Sequence, residues 1–394
     1  MKRHLLTLSV VSLSFLSTVG AALPYPILPP LFAGDGQGAL VHFLGLPPKL
    51  LFGIAVAINP LGLLLGSAVL GPLSDSHGRR RILLLTALAC AVGHALTALG
   101  LRMESYPLFV LARFGAGLAE GNTPVARALL ADRLQGDERV RGLAWLNSAT
   151  YMGWLAGPLL AGLTVGLGLT VPFWLAAAAL LASSVLARLV LPTDDAVPRA
   201  QAWWRIARER HALRLLSEPQ LRALVVVQLL LTLGLTAFYE FYPLWLVEYA
   251  GMAAAGIAWT TAAMCAVMTL SSSLAARMGA VRLGRAAFAA LACGVFFACL
   301  VPGARTLGIV ALVAAGMPIS LYNTFIQAFC AERFGHHGQG AIMGLLSTIF
   351  CVANVIVALA GSLLALLDTR LVLLAAAAFA VVSAAKLRRW NRAH

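Results

Sequence analysis

Leu108 to Leu163 reads LFVLARFGAGLAEGNTPVARALLADRLQGDERVRGLAWLNSATYMGWLAGPLLAGL, two apolar segments joined by a short charged loop. Each segment is long enough to cross a bilayer. The first carries Arg113, Glu120 and Arg127 at seven-residue spacing. Seven residues is nearly two helical turns, so the spacing predicts that all three share one stripe of one helix. Charged groups at bilayer depth are costly against lipid, which turns the stripe towards a protein interior or a water-filled cavity. The second segment carries Gly153, Gly157, Pro158 and Gly162 among bulky residues. Small residues let another helix approach closely, and the proline removes one backbone donor. A charged stripe beside a glycine seam points to a transport path rather than an anchor.

The rest of the chain agrees with a membrane setting. Of 394 residues, 60% are hydrophobic and only 11% are charged, too little polar surface for a soluble protein of this length. The formal net charge is +14. In a soluble protein that excess would point to nucleic acid, but its placement excludes that reading. With the N-terminus inside and twelve crossings, the outer loops hold only Lys49, Arg102, Arg305 and Arg370, and Arg113, Arg127 and Arg188 lie within segments. The remaining lysines and arginines stand in inner loops and tails, an asymmetry that predicts both termini in the cytoplasm. The six cysteines all lie in apolar segments without metal-ligand spacing and read as small fillers; neither metal nor cofactor is implied. The first residues, MKRHLLTLSVVSLSFLSTVGAAL, imitate a secretory signal. The apolar run continues as PYPILPPLF, however, and the downstream charge pattern needs this segment as a crossing.

Apolar windows fall near 5–31, 49–72, 81–101, 107–131, 142–168 and 170–191, then near 221–247, 254–276, 284–303, 305–330, 340–367 and 369–386. This predicts an all-α membrane protein with a six-helix bundle at 1–191, a basic cytoplasmic linker at 192–220 and a second six-helix bundle at 221–394. The linker run WWRIARERHALRLL is amphipathic and reads either as a helix on the inner membrane surface or as a solvated connector. The halves echo each other. Ala131-Asp132-Arg133-Leu134 recurs as Ala331-Glu332-Arg333-Phe334, and Ala87-Leu88-Ala89-Cys90 as Ala290-Leu291-Ala292-Cys293. Six crossings, a linker and six more in the same orientation make parallel repeats, an arrangement that puts a substrate site near the midplane.

Between the second and third segments stands Gly71-Pro72-Leu73-Ser74-Asp75-Ser76-His77-Gly78-Arg79-Arg80-Arg81. The chain must reverse here in few residues, which favours Gly78 in the turn. This loop resembles the signature of the major facilitator superfamily at Gly71, Leu73, Asp75, Gly78, Arg79 and Arg80, with Ser76 where the family usually has Arg. Arg113 and Gly117 are similar to its Arg-x-x-x-Gly motif on helix 4. Gly153, Gly157, Pro158 and Gly162 resemble the helix 5 Gly-Pro motif of its proton-coupled antiporters, with Ala161 and Ala144 replacing expected glycines. PYPILPPLF resembles the end of helix 1 in tetracycline and multidrug exporters. The resemblance implies the twelve-helix fold of that superfamily, an inner-gate role for Asp75, Arg79, Arg80 and Asp132, assistance to proton transfer by Arg113, and packing of the helix 5 motif against the other half. Tetracycline exporters carry an Asp on helix 1; the aligned residue here is Ser17.

With no acid on helix 1, the mid-segment proton-coupling candidates are Glu120 and Glu240. Glu120 reads as a proton carrier or as the partner that neutralises Arg113 or Arg127. Glu240 lies among Phe238, Tyr239, Phe241, Tyr242 and Trp245. It reads as a site for a lipophilic cation or as a residue of an interfacial aromatic belt. Asn147, Tyr151 and Trp154, and Tyr322, Asn323 and Gln327, are candidates to line a cavity or ordinary interhelical partners. His94 and Asn354 read as helix-packing residues. No nucleophile–base pair, phosphate loop or metal cluster supports an enzyme. The expectation is a monomeric carrier in the lipid bilayer of the bacterial inner membrane that exchanges protons for an amphipathic organic molecule by alternating access. The alternative is a carrier for a nutrient or metabolite such as a sugar or organic acid, in either direction.

Overall fold

The structure is a computed structural model that describes residues 2–33, 38–193, 219–276, 283–334 and 339–393. Most of the expected linker at 192–220 lies outside the described residues, so its two readings stand as they were. Among the described residues the chain is all α. The helices of its first part are α1 (Lys2–Ala22), α2 (Pro24–Ala33), α3 (Pro48–His77), α4 (Arg79–Arg102), α5 (Tyr106–Glu120), α6 (Thr123–Arg133), α7 (Gly136–Thr164) and α8 (Val171–Val190). Those of its second part are α9 (Pro219–Glu248), α10 (Ala254–Ala276), α11 (Leu283–Ala298), α12 (Arg305–Phe334), α13 (Gln339–Ala365) and α14 (Thr369–Ala393). Among the described residues ten spans are long and apolar enough to cross a membrane, one of them His4–Ala33 formed by α1 with α2, and α11 is a shorter apolar helix. Helices α5 and α6 cover the fourth apolar window of the sequence, near 107–131.

Prolines break two crossings where their missing N–H would have closed a helical turn. Pro24 separates α1 from α2 at Leu23, and Pro124 stands in the first turn of α6 after the break at Gly121 and Asn122. The second break corrects the expectation of one stripe through Arg113, Glu120 and Arg127. Glu120 is the last residue of α5, and Arg127 sits on α6 with its side chain exposed.

The chain divides into two compact units, one comprising Met1–Leu28, Gly36–Leu46 and Ile54–Arg210, the other Pro29–Asp35, Pro47–Gly53 and His211–His394. In the first, α1 packs on α7 and α8, and α4 packs on α5 and α8. In the second, α9 packs on α13 and α14, and α11 packs on α12 and α14. Counted as crossings, these are the same pairings shifted by six, which is the structural form of the repeat. The two sequence echoes fall on equivalent helices: Cys90 on α4 and Cys293 on α11 are both fully buried.

Helix α4 illustrates how these helices are built. Leu83, Ala87, Cys90, His94, Thr97 and Leu101 are buried, while Leu85, Leu88, Val92, Leu96 and Leu99 are exposed. Between its terminal arginines the outward face is as apolar as the inward one, as lipid requires, and the neutral polar residues Thr86, His94 and Thr97 are turned inward. In the first unit a core of Leu6, Val10 and Leu13 from α1, Leu83 from α4, Leu129 and Leu130 from α6 and Leu146 from α7 makes α1 an integral bundle member.

Candidate functional site

Helices α3 and α5 approach until their backbones nearly touch. A Cβ on Gly117 would fall 2.3 Å from the Asn59 carbonyl oxygen, one on Gly62 2.5 Å from that of Phe114, and one on Gly66 2.1 Å from that of Leu118. This glycine seam carries Asn59 to the charged side of α5. Its amide Nδ2 donates to Glu120 Oε2 at 2.8 Å and to the Arg113 carbonyl at 3.3 Å, using both amide hydrogens. From α4, His94 brings Nε2 to 3.4 Å from Glu120 Oε1. From the other side Arg113 Nη2 donates to the Ala21 carbonyl of α1 at 3.3 Å. Ser17, the residue in place of the family's acid, lies with its Oγ 3.8 Å from Cys90 Sγ.

All of this is inside the first unit. Arg113 is 3% exposed, Glu120 4% and His94 0%. Glu120 Oε1, both imidazole nitrogens, and Arg113 Nε and Nη1 are buried without a hydrogen bond. A buried site with spare donors and acceptors is an expensive arrangement that a packing role alone leaves without explanation. The sequence reading identified Glu120 and Arg113; it took His94 for packing and passed over Asn59. The available signal for both was a lone polar side chain inside an apolar crossing.

Glu240 lies on α9 in the second unit, 2% exposed, and neither carboxylate oxygen has a hydrogen-bond partner. The side chain is thus turned into its bundle rather than outward. The aromatic residues near it in sequence are engaged in helix packing. Phe238 stacks on Phe297 at 4.4 Å, Tyr242 Oη is 2.6 Å from Thr261 Oγ1, and Trp245 Nε1 donates to the Leu300 carbonyl at 3.0 Å. Tyr322 Oη donates to Gln228 at 2.6 Å, and Tyr239 Oη lies 3.5 Å from Met268 Sδ. Asn323 is half-buried on α12, and Trp154 meets Tyr25 edge-on at 5.7 Å. The side chains of Asn147, Tyr151 and Gln327 lie outside the described residues.

At the turn between α3 and α4, Gly78 has φ 93°, a conformation open to glycine at little cost. Arg79 pairs with Asp75 at 3.0 Å and with Asp132 of α6, so the three charges tie helices of the first unit together. Arg80 Nη2 donates to the Arg188 carbonyl of α8 at 2.6 Å, and Gly71 faces Pro124. In the helix 5 motif, a Cβ on Gly153 would fall 2.7 Å from Thr18 Cβ and one on Gly157 2.6 Å from Ala22 Cβ. The observed partner of these two glycines is therefore α1 of the same unit. Gly162 and Pro158 are buried on the same helix. Among the described residues no group of three or more His, Cys, Asp or Glu gathers as a metal site would require.

Comparison with known proteins fits this geometry. The chain is 32% identical over 164 residues to the class C tetracycline resistance protein of Escherichia coli, a match covering 41% of this chain and 38% of that protein. It is 22% identical over 366 residues to multidrug resistance protein 2 of Bacillus subtilis (strain 168), covering 89% and 86%. The chain thus spans well under half the length of the first of these relatives. In fold it is similar to a bacterial homologue of the human lysosomal transporter Spinster, with a TM-score of 0.74 at 13% identity over 98% of this chain and 96% of that one. It is similar too to the human organic anion transporter MFSD10, with a TM-score of 0.69 at 18% identity over 98% and 99%. The profile of the Major Facilitator Superfamily matches residues 10–358, nearly the whole chain, and the chain belongs to that superfamily of multi-pass membrane transporters, which are not enzymes.

Proposed function

We propose that this carrier exports amphipathic organic compounds from a bacterial cell in exchange for protons, working by alternating access in the inner membrane with both termini cytoplasmic. The observation that carries the proposal is the pair of carboxylates buried inside apolar helix bundles, Glu120 and Glu240, each with at least one oxygen unpartnered. A buried carboxylate is tolerated at bilayer depth when neutralised by a proton or a cationic neighbour. Exchanging one for the other couples proton binding to substrate. A proton or substrate shifts the carrier between states only by its differential affinity for them, so each acid acts by being easier to protonate in one state. The relatives named for tetracycline and multidrug resistance support efflux over nutrient uptake. A monomer bound to lipid suffices, since the candidate groups lie within single bundles.

The test is substrate-evoked proton movement in proteoliposomes, with cationic, neutral and anionic compounds and with Glu120→Gln and Glu240→Gln alongside. One class of compound should release protons from wild type, and at least one variant should fall to the level of protein-free liposomes. Transport without proton flux, or two variants that behave as wild type, rejects proton coupling. Transport of sugars or organic acids alone favours a metabolite carrier.

A further inference from the structure

We infer that His94 and Glu120 form one proton-binding unit, in which a single proton is shared between the imidazole Nε2 and carboxylate Oε1. The inference rests on the proton-coupled reading of the same bundle and deepens it by adding a residue to which the family motifs assign nothing. Nε2 lies 3.4 Å from Oε1, both are buried, and neither has a hydrogen bond to any other group, so each is the other's nearest available proton partner. The other carboxylate oxygen is held by Asn59 at 2.8 Å, which aims Oε1 towards α4. The imidazole packs against α1. A Cβ on Gly20 of α1 would fall 2.0 Å from Nε2 and 2.5 Å from Cε1, so the ring lies directly on the α1 backbone in space that only glycine provides.

The remaining polar and titratable groups around the pair define its charge states. Cys90 of α4 and Ser17 of α1 meet each other, Arg113 of α5 contributes a positive charge, and Asn59 of α3 a neutral amide. With Glu120 ionised and His94 neutral, the arginine and carboxylate balance. Nδ1 is then an open base, buried and without a partner. A proton arriving at Nδ1 allows the Nε2–H bond to break as the Oε1–H bond forms, leaving a neutral imidazole of the opposite tautomer and a neutral acid. Release reverses both bonds, and no other reactant is needed. Two bases sharing one proton bind it more tightly than the carboxylate alone, and the titration belongs to the pair.

Infrared titration of the purified full-length protein tests this without relying on transport. The carbonyl band of protonated Glu120 is assigned by its loss in Glu120→Gln. In His94→Gln, whose amide still donates a hydrogen bond but takes up no proton, the midpoint of that band should move to lower pH. Gly20→Ala keeps both titrating groups but displaces the ring, and should move the midpoint the same way. An unchanged midpoint in both variants overturns the inference, as does the absence of any titrating band that Glu120→Gln removes. If the midpoint moves while substrates evoke no proton flux from wild type, the shared proton stands and the exchange function falls.

Discussion

At the scale of single residues, the sequence reading went furthest where a charge stood in an apolar run. Glu120, Arg113 and Glu240 announced themselves because burying charge is costly wherever the helix turns them. Asn59 and His94 are neutral polar groups whose meaning depends on what they face, and that was illegible. A contrasting residue is Asp368, at the turn before α14. It accepts the Arg370 backbone N–H at 2.8 Å, Arg370 Nη2 at 2.6 Å and Tyr249 Oη at 2.7 Å, and Arg370 lies over the Tyr249 ring at 5.1 Å. The Arg370 guanidinium and then the Tyr249 hydroxyl hold its carboxyl well below the usual carboxylate range, while partial burial pushes the Tyr249 phenol up to about 12. Because the folded pKa is depressed, the contribution is fully present above the unfolded value of about 3.9 and is lost progressively as pH falls from there through the depressed folded value. Asp368→Ala should lower stability by about 0.5–2 kcal/mol through loss of the helix cap. Thermal melting in detergent at pH 7 and near pH 3 checks this: the gap between variant and wild type should narrow at the acid end, and a gap that widens there contradicts it.

At the scale of helices, the glycine seam between α3 and α5 is what brings Asn59 to Glu120, and two glycines on α5 make a controlled comparison. Gly117 would set a Cβ 2.3 Å from a backbone oxygen, whereas Gly115 has nothing within 4 Å. Gly117→Ala should destabilise by about 1–3 kcal/mol through overpacking. Gly115→Ala should stabilise by about 0.5–1 kcal/mol, since alanine has less backbone entropy to lose. Melting curves of the two proteins decide, and equal shifts would mean that the seam relaxes freely. The break at Gly121 and Asn122 belongs to this scale as well. Seven-residue spacing defines a stripe only along an unbroken helix, and Pro124 was visible in the sequence as the reason to expect one to end.

At the scale of the whole molecule, the recurrence of helix pairings six crossings on turns two short sequence echoes into a repeat. The same reading assigns an orientation from the basic inner loops. Tags at both termini should be cut by protease only in inside-out vesicles, and a single cysteine at Arg305 should react with an impermeant reagent only in intact cells. Reversal of either pattern rejects the assigned topology. The all-helical membrane fold and the glycine turn at Gly78 were legible in the chain.

What the sequence determined by itself was therefore everything set by local apolar length, charge placement and turn chemistry: the membrane, the number of crossings, the superfamily's loop and the two buried acids. What only the tertiary structure decided was which side chains meet: His94 and Asn59 on Glu120, the aromatic residues of α9 on neighbouring helices, and Gly153 and Gly157 on α1. The reason is physical. A helix that is apolar on both its lipid face and its bundle face carries little pattern to fix its rotation about its own axis, and that rotation is settled only by the helices packed around it.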